Sequence, residues 1–142
     1  MSIASILSGK GYEVATISAD ATLRDAVAEL GSRRIGAMPV LDGDSVIGIL
    51  SERDVIYCLQ SLGADSLERR VGDVMSKPAI TVEPTTRILT ALALMTQRRI
   101  RHLPVVDSGK LAGIVSIGDL VKYRIEQIEA EADAMRNYIQ QA

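Results

Sequence analysis

Two short segments of this chain end a run of aliphatic residues with a serine and place an aspartate three positions on: Gly48-Ile-Leu-Ser51-Glu-Arg-Asp54 and Gly113-Ile-Val-Ser116-Ile-Gly-Asp119. A serine with an acid at that spacing suits the start of a helix. The serine oxygen accepts the N–H of the third helical residue, and the acid accepts the serine's own N–H. The carboxylate can also accept from two further donors at once, and the cis-diol of a ribose offers such a pair. The helix N-terminus beside it favours an anion such as phosphate. Capping and ligand binding are both open for Ser51, Asp54, Ser116 and Asp119.

Other chemistry is hard to find. The chain has one His and one Cys, too few for a two-His or multi-Cys metal site, so no metal requirement is expected. No Walker-type phosphate loop and no Gly-x-Gly-x-x-Gly segment follows a strand. His102 precedes Leu103-Pro104 and has no Ser or Cys neighbour to suggest a nucleophile–base pair. Cys58, between Ile56 and Leu59 on an apolar helix face, reads as core. No catalytic residue is expected. The acid–hydroxyl pairs read as binding groups of a protein that is not an enzyme.

The elements that hold these groups occur twice. Residues 16–56 lie over residues 81–121 at a constant offset of 65, with 13 of 41 positions identical. Each copy predicts β-α-β-β-α. An extended piece (13–17 or 79–82) precedes a helix with an apolar stripe: Leu23, Val27 and Leu30, or Ile88, Leu92 and Met95. Thr85 or Thr86 is placed to cap the second of these helices. The strands 38–41 and 103–106 follow, each with Pro39 or Pro104 near its start, where a missing N–H is tolerated. Turns at 42–45 and 107–110 lead to strands 46–50 and 111–115. Gly48 and Gly113 sit in mid-strand, which points to close packing or close ligand approach. Backward of the repeat, Ile3–Ser8 resembles Val71–Ser76, but the first copy inserts Gly9-Lys10-Gly11. A helix is expected over 67–74. After Val121 an apolar stripe of Val121, Ile125, Ile128, Ala132, Met135 and Ile139 predicts one long helix, packed on its own domain or on a partner protomer.

At 142 residues the chain suits one compact unit, and each copy alone would be marginal, so a shared core is expected. The predicted division is copy one at 1–62, a connection at 63–66, copy two at 67–124 and a helical extension at 125–142. There is no Phe and no Trp, so Val, Ile, Leu, Ala and Met must build the core. A net charge of −2 gives no pull toward nucleic acid. No apolar run approaches the roughly 20 residues of a membrane span, and the N-terminus lacks the pattern of a secretion signal. A soluble cytoplasmic protein is the expectation.

In duplicate, the order strand, Pro-Val, Asp-turn, Gly-hydrophobic-hydrophobic-Ser-x-x-Asp resembles the cystathionine β-synthase (CBS) domain, and the tandem resembles a CBS pair, or Bateman module. The resemblance implies an α/β (α+β) fold of two pseudo-twofold repeats with facing sheets. It also implies two clefts for adenosine-containing ligands such as AMP, ADP, ATP or NAD(H), and a role in signal transduction. Carried over by position, Asp54 and Asp119 match the ribose-binding acid, with Ser51 and Ser116 beside them. Thr16-Ile17 and Thr81-Val82 match first-strand residues of the adenine pocket. Ala37-Met38-Pro39 and His102-Leu103-Pro104 match the segment that reads the adenine edge. Arg101-His102 resembles the basic pair used for phosphate in the γ subunit of AMP-activated kinase. Arg53 fits a phosphate-facing position too; the aligned residues Gly36, Ala37 and Gly118 lack these cations.

An imidazole with the ordinary pKa of about 6.5 would strengthen phosphate binding toward pH 6. Arg33-Arg34 and Arg98-Arg99 recur and read as solvated helix residues. The resemblance and the apolar stripe after Val121 further imply a homodimer, and an effector protein of unknown identity is expected; from charge and hydropathy neither nucleic acid nor membrane is expected as a partner. The other reading is a structural or protein-interaction module with no physiological nucleotide.

Overall fold

The computed structural model describes residues 1–141. In chain order the elements are α1 (Ile3–Lys10), β1 (Ile17–Ser18), α2 (Leu23–Arg33), β2 (Ala37–Asp42), β3 (Ser45–Ser51) and α3 (Glu52–Leu62). After a 3₁₀ turn (Gly63–Glu68) come α4 (Val71–Val74), α5 (Ile88–Arg98), β4 (His102–Asp107), β5 (Lys110–Ser116) and α6 (Ile117–Gln141). The expected β-α-β-β-α order is present in the first copy; in the second the leading extended piece is reduced to a bridge at Val82 before α-β-β-α, and the last helix is long and continuous.

The two hairpins are near copies of one another. Val40 pairs with Gly48 and Val105 with Gly113, and the register shifts by one residue after Val40 and after Val105. β1 adds to β2 in parallel, and β3 lies against β5. The extended pieces are shorter than expected: β1 has two residues, and its counterpart is a single bridge from Val82 to Val105. The helix expected over 67–74 is also interrupted. Arg69 and Arg70 are extended, because the Arg69 carbonyl accepts the Leu23 N–H and Arg70 bridges to Thr22.

The helix stripes are turned slightly from those expected. α2 buries Leu23, Ala26 and Leu30 while Val27 stays exposed, and α5 buries Ile88, Ala91 and Met95. The small Ala26 and Ala91 are fully buried members of the two cores. Thr22 and Asp25 form a reciprocal cap at α2. Neither Thr85 nor Thr86 caps α5, whose N-cap is Arg87; the Thr86 hydroxyl accepts the Glu83 N–H instead.

Packing crosses the sequence order. Ile3, Ile6 and Leu7 of α1 lie in one core with Val82, Ile88, Met95, Leu103 and Val115. Val71, Val74 and Met75 pack with Ile17, Leu23, Met38, Val40 and Leu50 in the other. Each leading helix thus serves the opposite repeat, and matched backbone hydrogen bonds fix the exchange. The Ile3 N–H donates to Thr86 and that of Ala4 to Pro84, as those of Val71 and Gly72 donate to Ala21 and Ala19. The mid-strand glycines make room for the exchanged segments. A Cβ on Gly113 would stand 2.8 Å from Leu7, and one on Gly48 would stand 2.8 Å from the Ser76 carbonyl and 2.6 Å from the Met75 sulfur. Protein packing accounts for both glycines.

Candidate functional site

Ser51 is still extended (φ −111°, ψ 161°) and pairs with Ala37 as the last residue of β3; it is also the N-cap of α3, and its oxygen accepts the Asp54 N–H at 3.3 Å. Asp54 Oδ2 accepts the Ser51 N–H at 2.9 Å, and Oδ1 accepts the Ser76 hydroxyl at 2.9 Å. Capping is therefore real, and it also fixes where the carboxylate points. Asp54 lies on the wall of a cavity of about 400 Å³, within the usual range for small-molecule sites. Gly36, Ala37, Ile49, Ser51, Glu52, Arg53, Tyr57 and Ser76 line it from the side of the first hairpin. Arg99, Ile100, Arg101 and His102 close it from the other repeat. The two repeats approach closely here: the Cβ that Gly36 lacks would stand 3.3 Å from the His102 ring.

The wall carries three arginines against the carboxylates of Glu52 and Asp54, on a chain whose net charge is negative. The N-terminus of α3 opens onto the same space. Anion and ribose recognition are the chemistry this arrangement supports. His102 is half-buried, and its pKa lies below the ordinary 6.5. Loss of water contact lowers it and the Lys10 charge lowers it further, outweighing the opposite pull of Glu52 and Asp119. It is neutral near pH 7, so protonation that would aid an anion begins in more acidic solution than an unperturbed imidazole implies.

The second serine–aspartate pair has the same cap. The Ser116 N–H donates to Asp119 Oδ2 at 2.8 Å, and the Asp119 N–H donates to Ser116 Oγ at 3.1 Å. Its surroundings differ. Lys10 Nζ lies 2.6 Å from Asp119 Oδ2 and donates to the Ile114 carbonyl at 2.8 Å. Partial burial pushes the Asp119 carboxyl up. The hydrogen bonds from Lys10 and Ser116, with the Lys10 charge, outweigh this and hold its pKa below the ordinary value.

Both repeats match the family model of the CBS domain, over residues 10–61 and 71–126. The chain belongs to the CBS domain family. It is 36% identical over 126 residues to CBSX3, a mitochondrial CBS domain-containing protein of Arabidopsis thaliana, covering 85% of this chain and 61% of that protein. It is 34% identical over 113 residues to arabinose 5-phosphate isomerase KdsD of Yersinia pestis, covering 79% of this chain and 34% of the enzyme. The chain thus spans less than two thirds of either relative. Among solved structures, it is similar to the CBS-domain protein ATU1752 of Agrobacterium tumefaciens. The TM-score is 0.83 and the identity 37%, and 87% of this chain and 92% of that one are covered. It is also similar to CBSX2, solved in complex with AMP, with TM-score 0.71 and 28% identity over 82% of this chain and 90% of that one.

Within this CBS pair the structure brings Ser51, Asp54, Arg53, Arg101, His102 and Ala37 to one cavity and leaves Ser116 and Asp119 outside its wall. The other positions matched to adenine do not line it. Ile17, Met38, Val82 and Leu103 are core residues, Pro39 and Pro104 are buried, and Thr16 and Thr81 are exposed. The middle residues of β2 and β4, Met38-Pro39-Val40 and Leu103-Pro104-Val105, are buried, and of the two strands only the leading Ala37 and His102 reach the cavity wall. Sequence reasoning missed Glu52, Tyr57, Ser76, Ile49, Ile100 and Arg99 on this wall. Arg99 is exposed, as expected of a solvated residue, but its left-handed backbone (φ 54°) carries it off the end of α5 to the cavity. Cys58 is half-buried and packs on the core that holds Leu23, Met38 and Leu50. Among the described residues no group of three or more His, Cys, Asp or Glu is placed to hold a metal, and no helix is long and apolar enough to cross a membrane.

Proposed function

We propose that this CBS pair is a regulatory module that binds an adenine nucleotide in the Asp54 cavity. The observation that carries this reading is the convergence of Asp54 and Ser51 from one repeat with Arg99, Arg101 and His102 from the other in one cavity. Asp54 takes the ribose hydroxyls. Arg53, Arg101 and the α3 N-terminus face phosphate. Ile49, Ala37, Ile100 and the Tyr57 ring offer apolar surface to the base. AMP in the CBSX2 complex supports this ligand class. A ligand bridging two repeats favours the relative arrangement that satisfies both sets of contacts, and so shifts the population toward it. No group on the wall acts as an activated nucleophile, which favours binding over catalysis. The setting proposed is cytoplasmic.

The output passes to a second copy of the chain and to an effector protein. α3 exposes Ile56 and Tyr57, and its counterpart α6 exposes Val121, Ile125 and Ile128. These faces belong to pseudo-equivalent helices, so a twofold partner can cover both.

The test is titration calorimetry with AMP, adenosine and 2′-deoxyadenosine on the wild type and on Asp54→Asn. The amide keeps an acceptor for the cap but loses the charge. We expect a loss of about 1.5–3 kcal/mol in AMP binding, and 2′-deoxyadenosine should lose affinity only against the wild type. A purely structural module predicts no binding at all and no rise in melting temperature. A real ligand at 100 times its Kd adds about 2.7 kcal/mol.

A further inference from the structure

In the first repeat, α4 is only 4 residues long. The chain leaves it in time for Ser76 to pair with Ile49, donating its N–H to the Ile49 carbonyl at 3.0 Å and its hydroxyl to Asp54 Oδ1 at 2.9 Å. In the second repeat, the corresponding helix α1 is 8 residues long and ends on Lys10, within the inserted Gly9-Lys10-Gly11. No backbone pairs there with Ile114, the counterpart of Ile49, among the described residues. The Lys10 ammonium makes both contacts instead. It donates to the Ile114 carbonyl at 2.8 Å and to Asp119 at 2.6 Å. One tethered cation therefore stands in for two donors and lies against Asp119.

From this we infer that Lys10 is an internal ligand of the Asp119 cleft, and that it limits the module to one nucleoside ligand per chain. The inference rests on the nucleotide reading of the Asp54 cavity. Lys10 neutralises the acid that would take a ribose and holds the carbonyl beside it. A free ligand must displace a donor that is already tethered, and so is present at high effective concentration. The Asp54 side has only the uncharged Ser76 hydroxyl to yield. Without Lys10 the second cleft would keep its acid and its serine cap. It would lack the phosphate-side cations, since Gly118, Gly36 and Ala37 stand where Arg53, Arg101 and His102 serve the first cleft. Adenosine is therefore the probe.

Titration calorimetry with adenosine should give one equivalent per wild-type chain and two for Lys10→Met. The added equivalent should vanish in Lys10→Met/Asp119→Ala and persist in Lys10→Met/Asp54→Ala. Lys10→Gln is the second variant, and far-ultraviolet dichroism selects whichever is folded. The same number of equivalents in wild type and variant overturns the inference, as does an added site that survives Asp119→Ala. If the wild type binds no adenosine, the nucleotide reading of the Asp54 cavity fails. The role of Lys10 is then judged by whether its removal creates a first site that depends on Asp119.

Discussion

Asp54 performs two tasks with one carboxylate, closing the cap of α3 and facing the cavity. Its place was legible because the Ser-x-x-Asp spacing recurs without a gap. What surrounds it was not. Arg99 reaches the wall through a left-handed C-cap, a backbone choice that an Arg-Arg pair does not announce. Lys10 lies in the segment where the repeat breaks down, so no comparison of the copies could place it. Arg101 follows from its position. Arg101→Ala should weaken AMP more than adenosine by about tenfold, and the difference should shrink as salt screens the exposed guanidinium. Calorimetry at two ionic strengths checks this; equal losses would mean that Arg101 shapes the loop without holding phosphate. His102 is the only histidine, so its ring is a clean NMR probe. Its midpoint should fall below 6.5 in the free protein and rise when AMP binds. Because the folded pKa is lowered, His102 favours the folded state above about pH 6.5 and works against it as pH falls from there toward the folded pKa. A free-protein midpoint at or above 6.5 would contradict the burial seen here.

At the scale of elements, the β-α-β-β-α order, both hairpins and the long last helix could be read from hydrophobic spacing and turn residues. The exchange of leading helices could not. Periodicity says that a helix has an apolar face, but not which of two similar cores will receive it. The mid-strand glycines held the clue, since each is defined by what approaches it. Gly48 meets the Ser76 carbonyl, a backbone atom that cannot swing aside, and Gly113 meets the end of the Leu7 side chain. Both glycine-to-alanine changes overpack a buried strand and should cost about 1–3 kcal/mol in urea denaturation. They part in binding. Gly48→Ala pushes on Ser76, which touches Asp54, and should weaken adenosine severalfold at the Asp54 cavity. Gly113→Ala lies on the other repeat and should leave that affinity nearly unchanged. Equal effects on adenosine binding would argue against Ser76 as part of the site.

For the molecule as a whole, the pseudo-twofold layout decides what remains exposed. The repeats spend their sheets and one helix face each on the two cores and turn α3 and α6 outward. Ile56 is 60% exposed and Val121, its counterpart, 43%; Ile125 and Ile128 extend the same strip along α6. Apolar side chains repeated at equivalent places form the kind of surface a symmetric partner covers. The stripe on α6 was plain from the sequence, but whether it packed inward was not, because spacing alone does not distinguish a core from an interface. The structure leaves it unburied by its own chain. We therefore expect a homodimer of twice the 15.3 kDa chain mass in light scattering at micromolar concentration. Ile56→Asp with Val121→Asp should give a folded species of single-chain mass, because a charge on each helix must be desolvated when the faces meet. The cavity residues are untouched by these two changes, so the monomer should still bind adenosine. A wild-type chain that already runs as a stable monomer would leave these helix faces without the role argued for them.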